Sequence, residues 1–212
     1  MDFDIIYPET KEAIRKAQCI VGAAYFTGEE LTSLGVPADA YEVDEVFVDD
    51  NEFEKPFKLW DSTKYLSNFF KANQTLFEDE YWKGITEERF VEDVTRSLNR
   101  IRSTFMNLFL NNEVYTKVEP LDKTDHELRL YQSIPVKIKQ GWIGKRLAFR
   151  FYAIEVEEKK CYIITGAAIK IHKDMKKAPN TTIEKAKIDQ ALKKLRSEGI
   201  DTKEEFINYF FS

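Results

Sequence analysis

Cysteine and histidine are scarce in this chain of 212 residues, which carries two of each. Cys19 and Cys161 are too few for a disulfide framework and lack the paired spacing of a zinc site, so both are expected to be small buried hydrophobes. His126 and His172 stand far apart with no partner at helical ligand spacing, and neither a metal nor another cofactor is expected. No run of about 18 apolar residues occurs, as a membrane-spanning helix would require. The opening MDFDIIYPETKEAIRKAQ puts acids where a secretory signal carries positive charge, so a soluble, cytoplasmic protein is expected, with no membrane partner. GxGxxG, P-loop, GxSxG, HExxH and paired CxxC patterns are also missing, which removes weight from the large enzyme classes that use them.

What the chain does have is an uneven distribution of charge. Residues 130–212 hold 17 Lys and Arg against 10 Asp and Glu, whereas residues 1–129 hold 15 against 27. An acidic part therefore precedes a basic one, although the whole chain carries a net −5. With 43% hydrophobic and 14% aromatic residues it can bury a substantial core as one large or two modest units. The division expected is 1–125, acidic and mainly helical, followed by 126–212, a basic meander with C-terminal helices.

Residues 10–26, TKEAIRKAQCIVGAAYF, show a short helical pattern, and Thr27 is placed to cap a turn that Gly35 and Pro37 end. Tyr41–Val48 alternates as YEVDEVFV, the period of a half-buried strand, and Asp49, Asp50, Glu52 and Glu54 prolong its negative side. The clusters Asp44-Glu45 and Asp49-Asp50 are expected to give solubility or to cover a basic surface. Asp61 or Ser62 then caps a helix with Tyr65, Leu66, Phe69 and Phe70 on its apolar side. A longer helix starts at Thr86, where Phe90, Val94, Leu98, Ile101, Phe105 and Leu108 recur every three or four residues up to Asn111.

From Glu127 the period shortens to two. ELRLYQSIPVKIKQ, RLAFRFYAIEV and KCYIITGAAIKI read as a three-stranded antiparallel meander, with Pro135 at an edge or bulge and Gly141 and Gly144 at the first turn. Asn180 or Thr181 is expected to open a helix, with Glu184 closing a capping box and Gly199 ending it. Asp201 or Thr202 caps a last short helix carrying Phe206, Tyr209 and Phe210. The expected fold class is α+β.

Strand alternation groups the cations of the meander. Lys137 and Lys139 point one way, as do Arg146 and Arg150, while Leu147, Phe149 and Phe151 point to the core. Lys170, His172, Lys173, Lys176 and Lys177 continue the charge beyond the last strand, and Lys185 and Lys187 add to it at the helix start. Guanidinium and ammonium groups so arranged can hold phosphate and stabilise a developing dianion. A solvated lysine-rich edge that blocks strand pairing accounts for the same residues.

The runs RFYAI (Arg150–Ile154), ITGAAIK (Ile164–Lys170) and HKDMKKAP (His172–Pro179), ahead of a helix with Glu184 and Lys187, resemble the RelE/ParE toxin superfamily over residues 127–197, in its HigB-like and phage-derived branch. That resemblance implies a RelE-like meander and a toxin–antitoxin context. The implied activity is ribosome-dependent, metal-free mRNA cleavage, in which a ribose 2′-hydroxyl attacks the adjacent phosphate. Carried over, Arg150 stabilises the phosphate, Lys170 and Lys173 act as charge donors or acid/base groups, and His172 is a further acid/base candidate. Lys137, Lys139, Arg146, Lys176 and Lys177 line the RNA track. The implied partners are mRNA on the ribosome and an antitoxin or other protein, with the acidic N-terminal half as a built-in restraint. The alternative is a non-catalytic interaction module that keeps the toxin-like fold. Convergence of the cations in one exposed cleft favours RNA, and dispersal into salt bridges favours the interaction module.

Overall fold

Strand and helix propensities meet in a mixed α+β architecture, seen in a computed structural model that describes residues 1–36, 50–78, 82, 84–121, 133–143, 145–172 and 178–212. Among these residues the strands form a six-stranded sheet in the order β1 (Asp2–Tyr7), β2 (Ile20–Tyr25), β6 (Cys161–Ile169), β5 (Arg146–Glu157), β4 (Ile134–Ile143), β3 (Val118–Pro120). Neighbours are antiparallel except β2 and β6, which run parallel from Ile20 opposite Cys161 to Ala23 opposite Ile164. The expected meander is present as β4, β5 and β6. Strands from residues before 126 complete the sheet on both sides of it, so the expected boundary at 125/126 falls between two strands, β3 and β4, that pair with each other.

Alternation along β5 divides the core into two layers. Phe149, Phe151 and Ala153 point to one face, where α3 (Glu54–Asp61), α4 (Thr63–Ala72), the single turn α5 (Gln74–Phe77) and α6 (Glu87–Leu110) supply the apolar cover. Rings interlock there: Phe105 lies 4.5 Å from Phe151 and Trp60 lies 5.0 Å from Phe149, centroid to centroid. Tyr152, Ile154 and Val156 point to the other face, beneath α7 (Pro179–Ser197), α8 (Lys203–Phe211) and the short α1 (Lys11–Lys16) and α2 (Gly28–Ser33). Each of the six predicted stripe residues of α6 is buried. Among the described residues no helix is long and apolar enough to cross a membrane.

Several starts follow the expected chemistry. Ser62 and Thr86 accept backbone N–H groups at the entries of α4 and α6, and Thr27 and Thr202 form capping boxes with Glu30 and Glu205. Two expectations are corrected. The helical reading of residues 10–26 holds for Lys11–Lys16 alone, because Ile20–Tyr25 is a central strand buried on both faces, which removes the alternation that marks a strand. Gly22 is required there, since a Cβ would stand 2.7 Å from the Asp4 carbonyl oxygen and 2.8 Å from the Phe206 ring. Helix α7 begins at Pro179 after Ala178 with no side-chain cap, so the capping box of Thr181 and Glu184 does not form. The expected strand at Tyr41–Val48, the acids Asp44, Glu45 and Asp49, the start of the Glu127 strand and Gly144 lie outside the described residues.

Candidate functional site

Cross-strand partners share a face of the sheet, and the register pairs Lys137 with Tyr152 and Lys139 with Arg150. Tyr152 belongs to the layer under α7, so all four side chains lie on that face. Lys170 follows β6 and is held beside them by its backbone N–H, which donates to the Ala148 carbonyl at 2.8 Å. Its ammonium pKa is lowered, first by burial and then by the charges of Arg150, Lys137 and Lys139. Four cations, from β4, β5 and the residue after β6, therefore lie within electrostatic reach of one another.

Their immediate partners differ. Lys137 Nζ donates to the Leu121 carbonyl at 3.0 Å, and Arg150 Nη1 donates to the Phe149 carbonyl at 2.9 Å. Lys139 Nζ lies 2.5 Å from Glu119 of β3, an ion pair half open to solvent. Arg150 is 8% exposed, whereas Lys137, Lys139 and Lys170 are half-buried. Arg146 sits at the far end of β5, half-buried, and does not figure among the charges that shift Lys170. His172 is buried just beyond β6 rather than displayed on the surface. Lys173, Lys176 and Lys177 lie outside the described residues. Lys185 is exposed, but Lys187 turns inward and adds nothing to the basic surface.

That inward turn leads to a second constellation. Glu52, Lys55, Glu184 and Lys187 are 1–5% exposed and form a chain of ion pairs. Lys55 Nζ meets Glu52 Oε1 at 2.9 Å, and Lys187 Nζ bridges Glu52 Oε2 at 2.7 Å and Glu184 Oε1 at 3.0 Å. The Glu52 backbone N–H donates to Ala24 at the end of β2, which places the cluster where β6 runs on past its last β2 pairing. Glu184 Oε2 lies against Gly166, in the bulge of β6 opposite Tyr152, so closely that a Cβ at Gly166 would fall 1.7 Å from it. Burial pushes the Glu184 carboxyl up to about 7 against the pull of Lys187, and the charge of Glu52 adds to the rise. The Tyr152 hydroxyl, itself buried, is raised by burial and by Glu184. A ribbon of titratable groups thus runs from the basic face through Tyr152 to the buried acids.

Four buried charges cost desolvation that hydrophobic residues would avoid, and such arrangements concentrate at functional sites. A cavity of about 130 Å³ adjoins the cluster, walled by Leu59, Trp60, Tyr65 and Phe69 from α3 and α4 and by Ile169 and Ile183 opposite. The cluster went unread in the sequence, although a signal was there. On α7, Glu184 and Lys187 fall in line with Thr181, Ile188, Ala191 and Leu195, charges at positions of an otherwise buried stripe. The motif Glu-x-x-Lys occurs at both 52–55 and 184–187. Among the described residues no group of three or more His, Cys, Asp or Glu side chains is placed to hold a metal ion.

No family model, curated protein or solved structure compared with the chain matches it.

Proposed function

We propose that the basic face of the sheet binds the phosphate backbone of single-stranded RNA, and that the chain is a RelE-like, toxin-type mRNA endoribonuclease acting on the ribosome in the cytoplasm. The observation that carries this reading is the gathering of Lys137, Lys139, Arg150 and Lys170 on one face, where burial first and then the three neighbouring charges lower the pKa of Lys170. Like charges held together repel, and a bound polyanion relieves that repulsion. In the reaction, the 2′-hydroxyl oxygen bonds to phosphorus and the bond from phosphorus to the 5′-oxygen breaks. A base takes the hydroxyl proton and an acid supplies one to the leaving oxygen. Lys170 serves one of these steps, while Arg150 stabilises the charge gathering on the phosphoryl oxygens.

The restraint supplied by the acidic part is local. Glu119 occupies Lys139 and Glu52 occupies Lys187, while β1 and β2 are built into the sheet. Release by detachment of the whole N-terminal half would break the strand pairing of β2 with β6. The half-burial of the cations and the Glu119 ion pair favour the second reading, a protein-interaction module without catalysis. Cell-free translation with the full chain, followed by mapping of mRNA 5′ ends, separates the two. The toxin-type reading predicts ribosome-dependent cuts that Lys170→Gln slows at least tenfold. Absence of cuts from a folded protein that still binds RNA moves the assignment to the interaction module.

A further inference from the structure

The cavity beside the buried ion pairs is lined by two side chains with unmet hydrogen-bonding capacity. Asn180 donates through Nδ2 to the Ile169 carbonyl at 2.8 Å, which orients the amide and leaves Oδ1 buried without a partner. Glu184 is 95% buried, and its Oε2 is likewise without a partner. Both are acceptor atoms when the carboxyl is ionised, so what they lack is a donor. Among the described residues the cluster pairs two carboxylates with two ammonium groups, which disfavours a charged guest. Apart from Asn180 and the four charged side chains on one side, the lining is aromatic and aliphatic, and a cavity of about 150 Å³ accommodates a benzene-sized ring. At about 130 Å³ this one has room for a single ring.

We infer that this cavity is a binding site for a neutral single-ring compound bearing an N–H or O–H donor, seated among Trp60, Tyr65 and Phe69 with its donor edge toward Asn180 and Glu184. This inference does not depend on the RNA reading, since the site lies between α3, α4 and α7 rather than among the cations of β4 and β5. Buried acceptors reject an analogue that lacks the donor, because they are then left unpaired.

Aniline and toluene form a matched pair for the test, equal in shape and different in the donor. Titration of the full chain with each at pH 8, followed by ligand-observed NMR and calorimetry, is expected to show aniline binding at least tenfold more tightly. Asn180→Leu is expected to bring the two ligands to similar affinities. Ile183→Trp, which fills the cavity from α7, is expected to abolish binding of aniline while thermal unfolding shows a folded protein. Equal affinity of the two ligands for the unmodified chain overturns the donor requirement. No binding of aniline at millimolar concentration overturns the site, and neither of these results depends on a variant folding.

Discussion

Replacing Glu184 by Gln removes a carboxyl group whose folded pKa lies at about 7 against an ordinary 4.5. Between those values the folded protein holds a proton that the unfolded chain releases. Stability from this group is therefore greatest below about pH 4.5, declines as pH rises toward 7 and stays level above. At ~1.36 kcal/mol per pH unit the interval amounts to about 3 kcal/mol. The groups facing Glu184 are Lys187 on its own helix, Glu52 just before α3, Lys55 in its first turn, Tyr65 from α4 and Tyr152 from β5. Glu30 and Glu157 have lowered pKa values, so their contributions are lost toward acid pH, below the window in question. The assay is urea denaturation at steps from pH 4.5 to 8 for the natural chain and for Glu184→Gln. The difference in unfolding free energy should shift by about 3 kcal/mol across the window, with the natural chain losing relative stability as pH rises. A flat difference, or one of opposite sign, would refute the assignment of a buried carboxyl with a raised pKa at this position.

Further substitutions probe the surroundings. Lys187→Met strands Glu52 and Glu184 without their shared cation and should lower stability by about 3–5 kcal/mol in urea titrations, more than an exposed lysine such as Lys185 would cost. Gly166→Ala sets a methyl group 1.7 Å from Glu184 Oε2, which must move; the variant should unfold at lower urea and lose the pH dependence just described. Thr202→Ala removes the capping box of α8 and should cost about 1 kcal/mol by thermal unfolding, with the loss confined to stability.

Legibility in the sequence followed how local the determinant was. The stripe from Phe90 to Leu108 and the alternation of β5 announce themselves within a few residues, and both elements form as read. The pairing of β2 with β6 joins residues some 140 positions apart through a run of small apolar side chains, Val21 to Ala24, that carries no period. Nothing local distinguishes such a run from a buried helix. The same division holds for the site. Lys137, Lys139 and Arg150 share a face because of strand period, which is readable, whereas the burial of His172 and Lys187 depends on what α3 and the sheet bring over them. Glu184 looked like a cap because it stands three residues after Thr181. The helix instead opened earlier, at Pro179, and freed that side chain to turn inward.

The most direct test of the basic face is its salt dependence with RNA. Binding of the full chain to a labelled single-stranded oligonucleotide, followed by fluorescence anisotropy between about 50 and 200 mM salt, reports how many phosphates are neutralised. Contacts from Lys137, Lys139, Arg150 and Lys170 predict a slope of log K against log salt of about −2.8, at roughly −0.7 for each contact to a single strand. Lys139→Gln with Lys170→Gln should reduce the slope to about −1.4 by the same relation and weaken binding regardless of sequence. A slope near zero, or an unchanged slope in the double variant, would contradict RNA binding at this face.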